Sequence, residues 1–290
     1  MSERDGYQAG VPCWVDTWQP DAAAAAGFYT RLFGWTAEDI MPADSPARYF
    51  MCKLRGRDVA AVGGQSPGQS LGQSPGPSQG PSPEDALPVP AWCTYIWVDS
   101  ADDSASRVTD AGGSVVMEPF DSLGGGRIAV VADSAGALFG LWQPGTHKGA
   151  QLVNEPGAWA MSQLNTRDTA GAKAFYGAVL GWETDTFDMG EGEITLWRVP
   201  GYVGGEPEQP VSREVVGVMA PMSGEWFPAD ATPHWSVNFW VDDTDAIADR
   251  AVQLGGEAVV PPYDAPGFRE AVLADPQGAA FSVSKLTAGA

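Results

Sequence analysis

The chain repeats itself, and this limits the fold more than any other feature of its 290 residues. Residues 27–35 read GFYTRLFGW and residues 174–182 read AFYGAVLGW, so Phe28-Tyr29 and Gly34-Trp35 return as Phe175-Tyr176 and Gly181-Trp182. TYIWVDSADDSASRVTDAGG (94–113) likewise matches VNFWVDDTDAIADRAVQLGG (237–256), and GGRIAVVADSAGALF matches GFREAVLADPQGAAF with Asp133 opposite Asp275. The displacement drifts by only a few residues, as loop insertions require. The chain is a duplicated half, and each half holds two related modules.

Each module has the same order of patterns. A strand opens it: PCWVDTW at 12–18, CTYIWV at 93–98, AMSQLN at 160–165 and SVNFWV at 236–241. A short amphipathic helix follows. Asp21 is placed to cap the first, whose apolar face is Ala25, Phe28, Tyr29 and Leu32, and Gly34 stops it. Asp168 caps the third, with Ala172, Phe175, Tyr176 and Val179 at the same spacing; the second and fourth run into paired glycines. Extended stretches complete each unit, among them RYFMCKL, VAAVGG, RIAVVA, ITLWRVP and EAVLA. The expectation is an α+β protein of four βαβββ modules. Residues 63–90, rich in Gly, Ser, Pro and Gln, read as a flexible link between the first two modules. The expected halves are 1–149 and 150–290.

Paired βαβββ modules with FY and GW on the first helix and D-P-x-G before the last strand resemble the vicinal-oxygen-chelate superfamily. That group includes glyoxalases, extradiol dioxygenases and bleomycin-resistance proteins. The residues that carry the resemblance are PCWVD (12–16), the FY and GW pairs, WCTYIWVD (92–99) and ADPQGAAF (274–281), and it is similar in particular to tandem actinobacterial members. The resemblance implies two modules curling their sheets into one U-shaped cleft per half, with the helices outside. It also implies where metal-using relatives keep their ligands. Those positions fall on Trp14, Cys93 and Gly140 in the first half and on Met161, Ser236 and Ser282 in the second. Trp, Met, Gly and Ser do not bind a catalytic divalent metal, and a lone Cys cannot complete a facial triad. No metal and no other cofactor is therefore expected.

Strand alternation then assigns faces. With the former ligand positions inward, Trp14, Asp16, Trp18, Cys93, Tyr95, Trp97, Leu138, Gly140 and Trp142 face the first cleft. Met161, Gln163, Asn165, Ser236, Asn238, Trp240, Ala280, Ser282 and Ser284 face the second. Val15, Ile96, Val98, Leu164, Val237, Phe239, Val241, Phe139, Leu141, Phe281 and Val283 pack beneath the helices. Two readings of the inward aromatics stay open: walls that stack a flat ligand, or side chains that close the sheet on itself or on the other half. Asp16, flanked by Trp residues, is either a base with a raised pKa or a carboxylate bonded to a backbone amide or to Arg127. GGGR (124–127) lacks the Lys-Ser/Thr of a phosphate loop and reads as a tight turn, with Arg127 as a residue that could reach the cleft. Cys93 reads more simply as an inert buried thiol than as a nucleophile.

Composition narrows the partners. The formal net charge is −21, with 16 Lys and Arg against 37 Asp and Glu, which argues against nucleic acid or an anionic membrane surface. Two His stand against 12 Trp, and neither His147 nor His234 falls on a ligand position. Three cysteines without CxxC spacing, no apolar leader and no long apolar run give the expectation of a cytoplasmic protein. It would be a monomer with an internal pseudo-dimer or a homodimer. The function expected is metal-independent binding of a planar, largely apolar organic molecule, of the sequestration or resistance type. The alternative is a cofactor-free lyase, isomerase or cyclase acting on such a molecule in secondary metabolism, with Asp16 as base and Tyr95 or Arg127 steadying an enolate.

Overall fold

The computed structural model describes residues 3–65, 90–122, 124–188, 193–204, 212–223, 227–228 and 230–287. The first module is β1 (Pro12–Gln19), α1 (Ala22–Phe33), β2 (Thr36–Asp39), β3 (Ala47–Leu54) and β4 (Arg57–Gln65). The second is β5 (Ala91–Trp97), α2 (Ala101–Asp110), β6 (Ser114–Ser122), β7 (Gly126–Ala132) and β8 (Leu138–Pro144). The third is β9 (Trp159–Thr166), α3 (Thr169–Leu180), β10 (Glu183–Asp188), β11 (Glu193–Arg198) and β12 (Val215–Pro221). The fourth is β13 (His234–Trp240), α4 (Thr244–Gln253), β14 (Glu257–Ala265), β15 (Phe268–Ala274) and β16 (Ala280–Leu286). Four βαβββ modules are thus present. The strands β2 and β10 are short and mostly polar and carry too little pattern to stand out in the sequence, whereas β12, with its apolar run VVGVMAP, carries a strand signal that the expected strands leave out. Gly63 and Gly64, expected to open the flexible link, belong to β4; residues 66–89 of that link lie outside the described residues.

Each half makes one eight-stranded sheet, ordered β2-β3-β4-β1-β5-β8-β7-β6 in the first and β10-β11-β12-β9-β13-β16-β15-β14 in the second. The opening strands of paired modules lie antiparallel at the centre, β1 against β5 and β9 against β13. Asp21 and Asp168 cap α1 and α3 by accepting from the amides of Ala24 and Gly171, at 3.0 and 2.8 Å. Gly34 and Gly181 end those helices in left-handed conformation, with φ of 73° and 70°.

The helices do not pack only on their own sheets. Phe28, Tyr29 and Phe33 of α1 share a core with Val237, Phe239, Phe281 and Val283 of the fourth module. Phe175 and Tyr176 of α3 share the other core with Ile96, Phe139 and Leu141 of the second. At the seam Tyr29 donates to Asp275 Oδ2 at 2.9 Å, while Asp275 Oδ1 accepts from the amides of Gln277 and Ala279. Tyr176 donates to Asp133 in the mirrored contact at 3.1 Å. The FY and D-x-x-G motifs are therefore two sides of one joint between the halves. The residues assigned beneath the helices by alternation are all buried. That leaves the opposite face of each sheet to form the cleft.

Candidate functional site

In the first half, β1 and β5 bring Asp16, Trp14 and Tyr95 together, with Asp16 opposite Cys93 and Trp14 opposite Tyr95 across the ladder. Asp16 is buried, and its Oδ2 accepts from Tyr49 Oη at 2.9 Å and from Tyr95 Oη at 3.1 Å. Trp14 Nε1 donates to Tyr49 Oη at 3.2 Å and extends this chain. Burial pushes the Asp16 carboxyl up to about 7, even though both phenols favour the ionised form. Burial, and then the nearby Asp16 charge, raise the Tyr49 and Tyr95 phenols, which therefore remain protonated donors.

Tyr95 lies across β8. A Cβ on Gly140 would come within 2.0 Å of its ring, so the glycine at the expected carboxylate position makes room for the tyrosine. Trp142, two residues on, has its ring 6.5 Å from Tyr95. Trp18 is half-buried beside Tyr49, 6.3 Å between ring centres, with Gly63 beneath both. Cys93 is buried, and burial followed by the Asp16 charge holds its thiol protonated, so it is no ready nucleophile.

His147 completes the cleft, although the sequence places it in the segment between the halves. Its ring stands edge-on to Trp14 at 4.5 Å and to Trp142 at 5.4 Å. Glycines make that approach possible: a Cβ on Gly145 would meet the carbonyl oxygens of Gly124 and Gly125, both at 2.8 Å. The backbone amide of His147 donates to Gly125 O at 3.0 Å. Burial lowers the imidazole to about 4, so the ring is neutral at pH 7, and its Nε2 lies 3.9 Å from Asp58 Oδ2. Among the described residues, three buried polar atoms of this cleft have no hydrogen-bond partner: Asp16 Oδ1, Trp142 Nε1 and His147 Nε2.

Other sequence candidates fall elsewhere. Arg127 does not reach Asp16. It shares a strand face with Ala129 and Val131, which pack in the helix-side core, and it holds Asp102 of α2 at 2.7 and 2.9 Å and Asp121 at 3.3 Å. Ile128 and Val130, paired with Trp142 and Gly140, take the cleft face instead. Trp97 lies beyond the Asp16 cluster and approaches Tyr7 at 6.2 Å. Tyr49 and His147 were not singled out in the sequence. Alternation along β3 could have flagged Tyr49; no local pattern flags His147.

The second cleft is built differently. Gln163 donates to Asn165 at 2.8 Å and Asn165 to Ser236 at 3.2 Å. Ser284 donates to Asn238 at 2.7 Å and Asn238 to Ser282 at 3.2 Å. Met161, Gln163, Asn238 and Trp240 are half-buried. Its polar groups satisfy one another, whereas those of the first cleft do not.

Comparison with known proteins fits this geometry. The glyoxalase/bleomycin resistance protein/dioxygenase superfamily pattern matches residues 14–141, and a glyoxalase-like domain pattern matches residues 161–284. A Mycobacterium tuberculosis protein named "Putative glyoxylase CFP32" is 39% identical over 98% of both chains. The chain belongs to this superfamily. Another member, the anthracycline biosynthesis protein DnrV of Streptomyces peucetius, is 37% identical over 98% of this chain and 96% of its own. Among solved members, the Mn(II)-bound glyoxalase of Novosphingobium aromaticivorans shares the fold, with TM-score 0.59, 16% identity and 96% of this chain and 82% of that one covered.

The Mn(II)-bound glyoxalase shows that this fold can hold a metal. Trp14, Cys93 and Gly140, and Met161, Ser236 and Ser282, do not fit a divalent ion. The Tyr95 ring also fills the space above Gly140. Among the described residues no three His, Cys, Asp or Glu are grouped to hold one. No helix among them is long and apolar enough to cross a membrane.

Proposed function

We propose that the first cleft binds a planar, largely apolar organic molecule of secondary metabolism, without a metal, in the manner of a sequestering protein. The observation that carries this reading is the group of unpartnered buried atoms, Asp16 Oδ1, Trp142 Nε1 and His147 Nε2, set among the rings of Trp14, Tyr95 and Trp142. Buried polar atoms are normally bonded, and a flat ring system with a donor for Asp16 Oδ1 and an acceptor for Trp142 Nε1 would satisfy the two that stay in place when His147 is displaced. His147 occupies the gap between Trp14 and Trp142 as a ligand ring would, so binding requires the turn at 145–147 to move aside. The relative named for anthracycline biosynthesis supports a polycyclic aromatic ligand. Titration with planar polycyclic quinones, read by Trp emission, tests this. Saturable quenching that weakens in Trp142→Phe supports it, and no quenching across the panel rejects it.

A second reading follows from the Asp16 carboxyl at about 7. Tyr49 and Tyr95 hold Oδ2, leaving Oδ1 to take a proton from a carbon next to a ligand carbonyl. The C–H electron pair passes to the carbonyl oxygen as an enolate, and Trp142 Nε1–H is a free donor within the cleft among the described residues. This is cofactor-free lyase, isomerase or cyclase chemistry. Asp16→Asn should then keep quinone binding and lose turnover; unchanged turnover removes Asp16 as the base.

A further inference from the structure

The junction between the halves holds a second concave surface that the Asp16 cleft does not use. A groove of about 620 Å³ lies among Arg4, Asp5, Tyr7, Trp97, Lys148 and Tyr202. That volume suits a small organic ligand. An adjoining hollow of about 50 Å³ shares Arg4, Tyr7 and Tyr202 and reaches Trp159 and Met161 of the second half.

Three chain segments fix the walls. The amide of Arg4 donates to Gln151 O at 3.0 Å, and its guanidinium donates to Gly204 O. Tyr7 Oη donates to Ala150 O at 2.6 Å, with its ring 6.2 Å from Trp97. The N-terminal segment is thereby tied to the inter-half segment and to the second half, so the groove is formed before any ligand arrives.

In a chain of net charge −21, two cationic side chains, Arg4 and Lys148, face one acid, Asp5, across this groove. The aromatic residues Tyr7, Trp97 and Tyr202 line it with them. Aromatic faces accept a planar ring system, and a cation at the rim fixes the position of an anionic group on it. We propose that this groove is a binding site for a flat aromatic carboxylate, with Trp97 and Tyr202 against the ring and Lys148 and Arg4 against the carboxylate. The site is distinct from the Asp16 cleft: it uses neither Asp16 nor Trp142.

Calorimetric titration of the full chain with 2-naphthoate and with its uncharged counterpart 2-naphthamide tests the proposal. Naphthoate should bind more tightly than naphthamide, and Lys148→Glu should weaken naphthoate by roughly tenfold. Lys285→Glu, the same charge change on β16, should leave it unaltered. Trp97→Ala should weaken both compounds. Equal binding of the two compounds, equal effects of Lys148→Glu and Lys285→Glu, or no binding of naphthoate overturns the proposal. Loss of naphthoate affinity in Asp16→Asn but not in Lys148→Glu places the carboxylate in the cleft and overturns it as well.

Discussion

Tyr29 and Asp275 meet at 2.9 Å from opposite ends of the chain, and Tyr176 and Asp133 repeat the contact at 3.1 Å. Each phenol also accepts an indole N–H, from Trp92 at 3.0 Å and from Trp235 at 2.8 Å. The two joints differ in one respect. Asp275 Oδ2 has a second donor, Gln19 Nε2 at 2.8 Å, whereas Tyr176 is the one side-chain donor to Asp133 among the described residues. Removing the phenol leaves a buried acceptor short of a partner, at a cost of about 1–3 kcal/mol. Tyr176→Phe should therefore destabilise the protein more than Tyr29→Phe in urea unfolding. Equal losses would show that Gln19 does not support Asp275.

The cleft sets two titrations of opposite sign against each other. Asp16 is raised by burial from 3.8 to about 7, with Tyr49, Tyr95 and Cys93 as its titratable neighbours. The folded state then binds the extra proton, so this contribution to stability is present below about pH 4 and is lost as pH rises to about 7. His147 is lowered by burial from 6.5 to about 4, with Asp58 nearby. Its contribution is present above pH 6.5 and is lost as pH falls to about 4. The two offset each other between those values in the native protein. Urea unfolding of Asp16→Asn across this window should show stability rising with pH, and of His147→Gln should show it falling. A flat profile for both variants contradicts the assigned burial.

His147 is also the residue a flat ligand must displace. His147→Ala removes a ring from between Trp14 and Trp142 and should cost about 1–3 kcal/mol of stability through the cavity left behind. If the gap is the ligand site, the variant no longer has to open before binding. Its apparent affinity for a planar quinone should rise, by roughly fivefold or more. Weaker binding than in the native chain would mean that His147 is a contact rather than a plug.

Much of this architecture is legible in the sequence because duplication supplies four readings of one pattern. Alternation along β1, β5 and β8 places Trp14, Asp16, Tyr95 and Trp142 on one face without knowledge of any contact. Arg127 fails for a register reason: Gly124, Gly125 and Gly126 let the hairpin start at more than one position, and a one-residue slip reverses every side chain. His147 lies in a segment with no periodicity, so only the folded path of the chain brings it onto Trp14. The choice between ligand walls and self-packing was also beyond the pattern. Burial of Trp14 and Trp142 depends on a turn that the alternation of strands does not describe.

The central claim concerns which indoles meet the ligand. Fluorine NMR of 5-fluorotryptophan protein, with each resonance assigned by single Trp→Phe substitution, tests it most directly during titration with a soluble planar quinone. The account predicts that the Trp14 and Trp142 resonances move together and saturate, while Trp197 and Trp235 in the helix-side core stay in place. Resonances of Trp14 and Trp142 that remain fixed while the quinone binds elsewhere, or fails to bind, would contradict it.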